Sequence, residues 1–345
     1  MKIQTLGGKT LLIMLLLLVT MINQAFGKEM KRIILIKTMP VPVVLQQCEW
    51  FLTQLEELGY KNGINLDLIV FDAKGDRARA ESFLRSAVAE SKPDLVATSA
   101  TLASQTAVKV LKGKNIPIVF FTVSDPVGAG LIKKVGEATG GMVTGKVQII
   151  NRETRINTVM RLVEQTTARR PIRFGFIHSS YPSSMGDLRE LMIIARERDD
   201  VEFISRRVEY KKVPEGLPAM LSEVKKNVED LKDKVDFWWE PSGPLGEVES
   251  YSQLLLQDST VPIAMGNKLK SVELGALLHL TPSIEFSGRE AALLADAILN
   301  GADSGTIPVT PPTSFDLGIN LTTALKMGVV VPPDLLNLAG KNVYR

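Results

Sequence analysis

Residues 94–132 constrain the fold more than any other part of the chain. They read DLVATSATLASQTAVKVLKGKNIPIVFFTVSDPVGAGLI. Leu95–Thr98 is a short apolar run without charge, the pattern of a strand buried on both faces. A polar cluster, Thr98–Thr101, ends it, and Leu102, Val108 and Leu111 then recur at helical spacing until Gly113. A second buried run, Pro117–Val123, ends in Ser124-Asp125-Pro126 and the glycines Gly128 and Gly130. Two buried strands joined through a helix form a β-α-β unit, with parallel strands and a right-handed crossover. Both polar clusters then sit at carboxyl ends of neighbouring strands, the edge at which open α/β sheets bind ligands.

The same alternation extends in both directions. Strands are predicted at Lys31–Thr38 and Ile64–Asp72, and helices over Pro42–Leu58 and Asp76–Glu90, the second capped by Asp76. These complete a first doubly wound lobe of four strands. Gly140–Gly145 breaks the pattern and reads as a crossing segment. A helix over Asn151–Glu164 restarts it, and strands follow at Ile172–His178, Val201–Glu209, Asp236–Glu240 and Pro262–Ala264. Helices are expected between them at Ser184–Arg198, Leu217–Lys232 and Leu245–Gln257. Leu277–Pro282 reads as the return crossing, and the helix over Glu285–Leu299 as one that packs back on the first lobe. A last strand, Phe315–Leu321, precedes two short helices. The expected fold class is α/β, two doubly wound parallel-sheet lobes joined by a hinge. Residues 28–146 with 282–305 would form one lobe, and 147–281 with 306–345 the other.

Ahead of the first strand, Lys2 and Lys9 give a basic start and Leu11–Ile22 a 12-residue apolar core. Ala25-Phe26-Gly27 puts small residues at the two positions a signal peptidase reads. The core is short of the roughly 20 residues needed to span a bilayer. Residues 1–27 are therefore expected to be a cleaved secretory signal, with the mature chain in the periplasm and no direct membrane insertion. Cleavage removes Lys2 and Lys9, and the formal charge falls from +3 to about +1. A nearly neutral chain gives no electrostatic case for nucleic acid or acidic membrane. The one cysteine, Cys48, excludes an internal disulfide and lies in an apolar helical pattern, as a core residue does.

No catalytic constellation stands out. There is no Gly-x-Ser-x-Gly elbow and no dinucleotide fingerprint in a strand–turn–helix context. His178 and His279 are the two histidines, too few for a convincing metal cage. The chain reads as non-enzymatic, with no cofactor or metal expected.

Several motifs carry a family resemblance. They are Gly59-Tyr60-Lys61-Asn62-Gly63-Ile64-Asn65, Lys92-Pro93-Asp94-Leu95-Val96, and Ile116–Phe120 followed by Ser124–Leu131. In the tail they are Ile319-Asn320-Leu321, Met327-Gly328-Val329 and Val331–Leu336. The chain resembles the substrate-binding proteins of ABC-type importers, in the family whose ligand-assigned members bind aromatic amino acids. That resemblance implies a type 1 periplasmic-binding-protein fold, a small-molecule ligand in an interlobe cleft, and a membrane permease and ATPase as partners. A ligand sensor reporting to a membrane-bound signalling receptor would use the same cleft and the same export. Two elements depart from the family pattern. The acidic residue after the strand Asp236–Glu240 is replaced by Pro241-Ser242-Gly243-Pro244, and the Asp-Tyr element near the hinge by Ser283-Ile284-Glu285.

The candidate ligand-binding residues follow from the strand ends. They are Thr38, Thr98, Ser99, Thr101, Ser124 and Asp125 in the first lobe, and His178, Tyr181, Ser242, Gly266 and Asn267 in the second. Ser99 and Thr101 open a helix, whose free N–H groups attract a carboxylate; simple N-capping is the other role open to them. Asp125 offers a carboxylate for an ammonium, or, since it precedes Pro126, a side chain that satisfies its own turn. Tyr181 offers a ring face or a hydroxyl. Trp238 and Trp239 point to opposite faces of one strand, so at least one belongs to the core.

Overall fold

The uncharged apolar runs become the inner strands of two separate sheets in a computed structural model that describes residues 30–167 and 169–345. The expected signal, residues 1–27, lies outside the described residues. The first sheet contains β1 (Lys31–Lys37), β2 (Leu66–Asp72), β3 (Leu95–Ser99), β4 (Ile118–Val123) and β5 (Val143–Val147). All are parallel, in the order β2-β1-β3-β4-β5. Ile33–Ile36 and Leu95–Ser99 are wholly buried, because helices cover both faces of these strands. On one face Ile33 and Leu35 meet α1 (Pro42–Glu57); on the other Ile34 and Ile36 meet α2 (Arg77–Glu90) and α3 (Thr101–Leu111).

The second sheet contains β6 (Ile172–Ser179), β7 (Val201–Val208), β8 (Phe237–Trp239), β9 (Ile263–Gly266), β10 (Leu278–Pro282), β11 (Phe315–Asn320) and β12 (Val343–Tyr344). Their order is β12-β11-β10-β9-β8-β6-β7, and β11 alone runs antiparallel to its inner neighbour, β10. The helices of this lobe are α4 (Arg152–Val163), α5 (Pro182–Arg196), α6 (Leu217–Leu231), α7 (Glu249–Asp258) and α8 (Leu269–Leu274). The helix α9 (Ile284–Leu299) crosses back to the first lobe, and α10 (Leu321–Met327) and α11 (Pro333–Ala339) finish the second. Trp238 and Trp239 do face opposite sides of β8, and both are fully buried core residues.

Three of the sequence expectations are corrected. Gly140–Gly145 is not a crossing: Val143–Val147 is the fifth strand of the first sheet, with Val119 opposite Thr144. Gly145 is required there, since a Cβ would lie 2.7 Å from Cγ of Phe120. The helix predicted from Leu245 starts only at Glu249, because Pro244 and Gly246 hold residues 241–248 in a loop. Leu277–Pro282 is mostly strand β10, and the crossing falls at its end, between Pro282 and Ile284.

Three chain segments therefore link the lobes: residues 148–151, Pro282–Ser283, and 307–314. The helix α9 settles tightly on α1, where a Cβ on Gly288 would lie 2.7 Å from that of Trp50. The Tyr60 hydroxyl donates to Asp296 at 2.8 Å and holds the far end of the helix.

Cys48 lies on the buried face of α1, and burial pushes its thiol up to about 11. Its thiolate fraction at pH 7 is then about a hundredfold below that of an ordinary cysteine. A thiol-labelling time course at pH 7 should show essentially no reaction until denaturant is added; prompt labelling of the folded protein would contradict the core assignment. Among the described residues, no helix is long and apolar enough to cross a membrane.

Candidate functional site

In each sheet the first strand has its successor on one side and the third strand on the other, β2-β1-β3 and β7-β6-β8. The crossovers leave such a pair in opposite directions and open a crevice at the carboxyl ends of the two strands. The two crevices face each other. Between them lies a cavity of about 450 Å³, within the size range of small-molecule sites.

Its wall is apolar at Met39, Pro42, Val43, Leu269 and Ile284. Thr101, Thr122 and Ser124 supply polar groups from the first lobe. Ser183, Ser242, Glu247 and Asn267 supply them from the second, and Gln148 and Thr281 from beside the crossings. Tight turns place these groups. Between β3 and α3 there is no loop at all, and Ala100 takes φ +82° to make the turn. Thr122 stands at φ +59°, beside an irregularity in the β4–β5 pairing. For a β-branched residue that conformation costs about 1–3 kcal/mol. Hydrogen bonds hold it: the Thr122 hydroxyl donates to Gln47 Oε1 at 2.6 Å and accepts from Ser99 at 2.8 Å. Gln47 Nε2 donates in turn to Gln148 Oε1, and Gln148 Nε2 donates to the carbonyl of Pro282. A polar chain thus runs from the cavity edge to the crossing.

The second-lobe wall rests on two buried networks. Asp187, wholly buried, accepts from Arg152 Nε at 3.0 Å and from the Ser242 N–H at 3.2 Å. Arg155 lies 3.9 Å from the same carboxylate and 5.3 Å over the Trp239 ring, with Nε and Nη2 buried and unbonded. In the other network Glu240 Oε2 accepts from the Asn267 N–H and the Ser271 hydroxyl. Lys268 gives its ammonium to the carbonyls of Gly246 and Val248. Burial pushes His279 down to about 3, so the ring is neutral. Its Nδ1–H donates to the Gly266 carbonyl, and Nε2 accepts from the hydroxyl of Thr281, which lines the cavity.

Five of the sequence candidates line this cavity: Thr101, Ser124, Tyr181, Ser242 and Asn267. The other six stand behind it. Thr98 bonds to Ser104 within its lobe, and Ser99 supports Thr122. His178 is buried in the second lobe, its Nδ1 against the Ser179 carbonyl, and Gly266 serves through its own carbonyl, which accepts from His279. The Thr38 hydroxyl is buried beside that of Tyr181, with no well-formed hydrogen bond between them. Asp125 is not part of the cavity wall. It accepts from the Gly128 N–H at 2.8 Å, the turn role open to it, and forms an ion pair with Arg189 of the opposite lobe.

That ion pair is one of several contacts that bring the lobes together. Asp76 pairs with Lys212, and Tyr181 buries its ring in one cluster with Met39, Val41, Ala100 and Leu102. Asp125 seats between Gly128 and Gly186, where added Cβ atoms would overlap its carboxylate. Sequence reasoning missed Gln148, Glu247, Thr281 and Asp316 in the wall. One signal was available for Glu247: it ends a Pro- and Gly-rich loop at the carboxyl end of a strand.

Two crevices closed on a shared cavity define a two-lobed capturer of small ligands. The chain belongs to the ABC transporter substrate binding protein family, whose model matches residues 32–197 and 212–343. It is a substrate-binding protein of an ABC transporter, binds a small ligand, and is not an enzyme. It is 27% identical over 299 residues to a tyrosine-binding protein of Clostridioides difficile, covering 86% of this chain and 81% of that one. Among solved structures it resembles the ABC domain of Streptococcus pneumoniae in complex with L-Trp. That match has a TM-score of 0.74 at 22% identity and covers 91% of this chain and 99% of the other. A conserved domain protein of Vibrio cholerae matches with a TM-score of 0.72 at 23% identity, over 92% of this chain and 100% of that one. At these identities the structural matches speak for the fold alone.

Proposed function

We propose that the protein captures an amino acid with an aromatic or large apolar side chain in the periplasm and delivers it to an import permease with its ATPase. The observation that carries this reading is the make-up of the cavity. An apolar wall from Met39 to Ile284 suits a large side chain, and polar groups of both lobes suit an ammonium and a carboxylate. Thr101, Ser124, Tyr181, Ser242 and Asn267 contact the ligand. The tyrosine and tryptophan ligands of the related proteins support the same class.

A thermal-shift panel of amino acids, short peptides, purines and sugars tests it. A ligand at 100 times its dissociation constant stabilises the folded state by about 2.7 kcal/mol, so tyrosine or tryptophan should raise the melting temperature by several degrees. A shift from another class and from no amino acid would refute the assignment. Delivery is tested by uptake of the labelled amino acid in cells with and without the gene.

A further inference from the structure

We propose that Glu247 recognises the ligand's ammonium group and so separates an amino acid from its deaminated counterpart; this rests on the amino-acid reading above. Glu247 ends the loop between β8 and α7 and lines the cavity. Its Oε1 accepts one hydrogen bond, from Asn267 Nδ2 at 2.7 Å. Among the described residues its Oε2 has no hydrogen-bond partner and no cation lies within 4.0 Å; the Lys268 charge acts on the carboxyl without pairing with it.

The neighbouring charges are committed elsewhere. Lys268, at the start of α8, gives its ammonium to the carbonyls of Gly246 and Val248 and to the hydroxyls of Ser252 and Ser271. Glu240, at the end of β8, is held by Asn267 and Ser271 through Oε2; its Oε1 is buried without a partner, but Glu240 is not part of the cavity wall. Glu249, on α7, is exposed, and Lys270 pairs with Glu273 at 2.7 Å. Elsewhere in the cavity wall, Asp316 lies against the Ile284 N–H and the Ser283 hydroxyl, and His279 is neutral. Among the described residues, Glu247 is therefore the carboxyl of this wall that is shielded from solvent, has an oxygen left over and makes no ion pair. An ionised carboxylate in such a place is unfavourable until a cation arrives. A ligand ammonium supplies that cation through a charge-assisted hydrogen bond.

The proton balance gives the proposal a second signature. Burial pushes the Glu247 carboxyl up to about 7. At pH 7 about half of the molecules hold a proton there, which must pass to the buffer when the carboxylate pairs with the ammonium. The sign is fixed: binding strengthens with rising pH, by about tenfold from pH 6 to pH 8. His279, pushed down to about 3 by burial, stays neutral in this window, and burial also pushes His178 below its ordinary value.

The experiment is calorimetric titration with L-tryptophan and L-tyrosine and with their deaminated propionates, on the parent and on Glu247→Gln. The glutamine keeps an oxygen for Asn267. The parent should prefer the amino compounds by about a hundredfold, and the variant should lose that preference while still binding the propionates. At pH 7, titration in buffers of different ionisation enthalpy should show release of about half a proton with the amino compounds and none with the propionates. This arm needs no variant and stands even if Glu247→Gln misfolds. The proposal fails if Glu247→Gln keeps the preference, if the parent releases no proton, or if Asp316→Asn removes the preference instead. If amino acids bind and Glu247→Gln changes nothing, only the role of Glu247 falls. If no amino acid binds the parent, the amino-acid reading falls and takes this role with it.

Discussion

Replacing Asp187 by alanine is expected to lower the stability of the second lobe by about 3–5 kcal/mol. The carboxylate is wholly buried and, among the described residues, is the one anion within 4 Å of both Arg152 and Arg155. Arg155 is only 1% exposed and already has two guanidinium nitrogens without a partner. Without Asp187 its charge stays in the interior uncompensated, and the Ser242 N–H loses its acceptor as well. Urea unfolding followed by tryptophan fluorescence should report the loss, since Trp239 lies directly beneath Arg155. Adding Arg155→Met to Asp187→Ala should restore more than half of it, because the unpaired charge goes too. A loss below about 1 kcal/mol would place the pair among those that contribute little.

Gly186→Ala should separate ligand binding from folding. Gly186 lies in the second turn of α5, where alanine favours the helix by about 0.8–1 kcal/mol. The unliganded variant should therefore melt no lower than the parent. In the closed arrangement, however, the new methyl would overlap the Asp125 carboxylate and lie 2.8 Å from its Cβ. The clash exists only when the lobes meet. Apparent affinity falls by the fraction of molecules able to close, and a weakening of about 10–100-fold is expected, or roughly 1.4–2.7 kcal/mol. Calorimetry measures it, and small-angle scattering should show less compaction with ligand. Unchanged affinity would mean that Asp125 can seat elsewhere.

The fold was largely legible because strands buried on both faces leave an unmistakable trace. Ile33–Ile36, Leu95–Thr98 and Ile118–Val123 are uncharged runs too short for helices and bounded by polar turns. The fifth strand escaped because Val143–Val147 carries Gly145 and Lys146 and lies at a sheet edge, where neither continuous hydrophobicity nor alternation is needed. Strand-end hydroxyls such as Thr101 and Ser124 were readable from sequence for a topological reason: the carboxyl edge of a parallel sheet is known once its strands are. Asp125 shows where that reasoning stops. The same edge carries groups that face the ligand and groups that face the opposite lobe. Only the approach of Arg189, 64 residues away, distinguishes them. Glu247 was hidden by a boundary. A helix starting at Leu245 would have absorbed it, whereas the observed start at Glu249 leaves it on the loop.

The helix α9 carries a consequence for how the molecule is assembled. Ala291, Ala292, Ala295, Ile298 and Leu299 share one core with Ile33, Leu35 and Phe51, although about 240 residues of chain separate the two groups. A ribosome delivers the first lobe's five strands long before it delivers the helix that seals them. Until then the surface of α1 that α9 covers, around Gln47 and Trp50, has no partner, while strands β6–β10 of the second lobe have already been made. The amino-terminal half thus stays unfinished until most of the second lobe has been made, and an exposed apolar groove awaits α9 through most of synthesis. Such a groove is the kind of surface that chaperones hold and that aggregates at high concentration. The order in which the chain is written is not the order in which it can close.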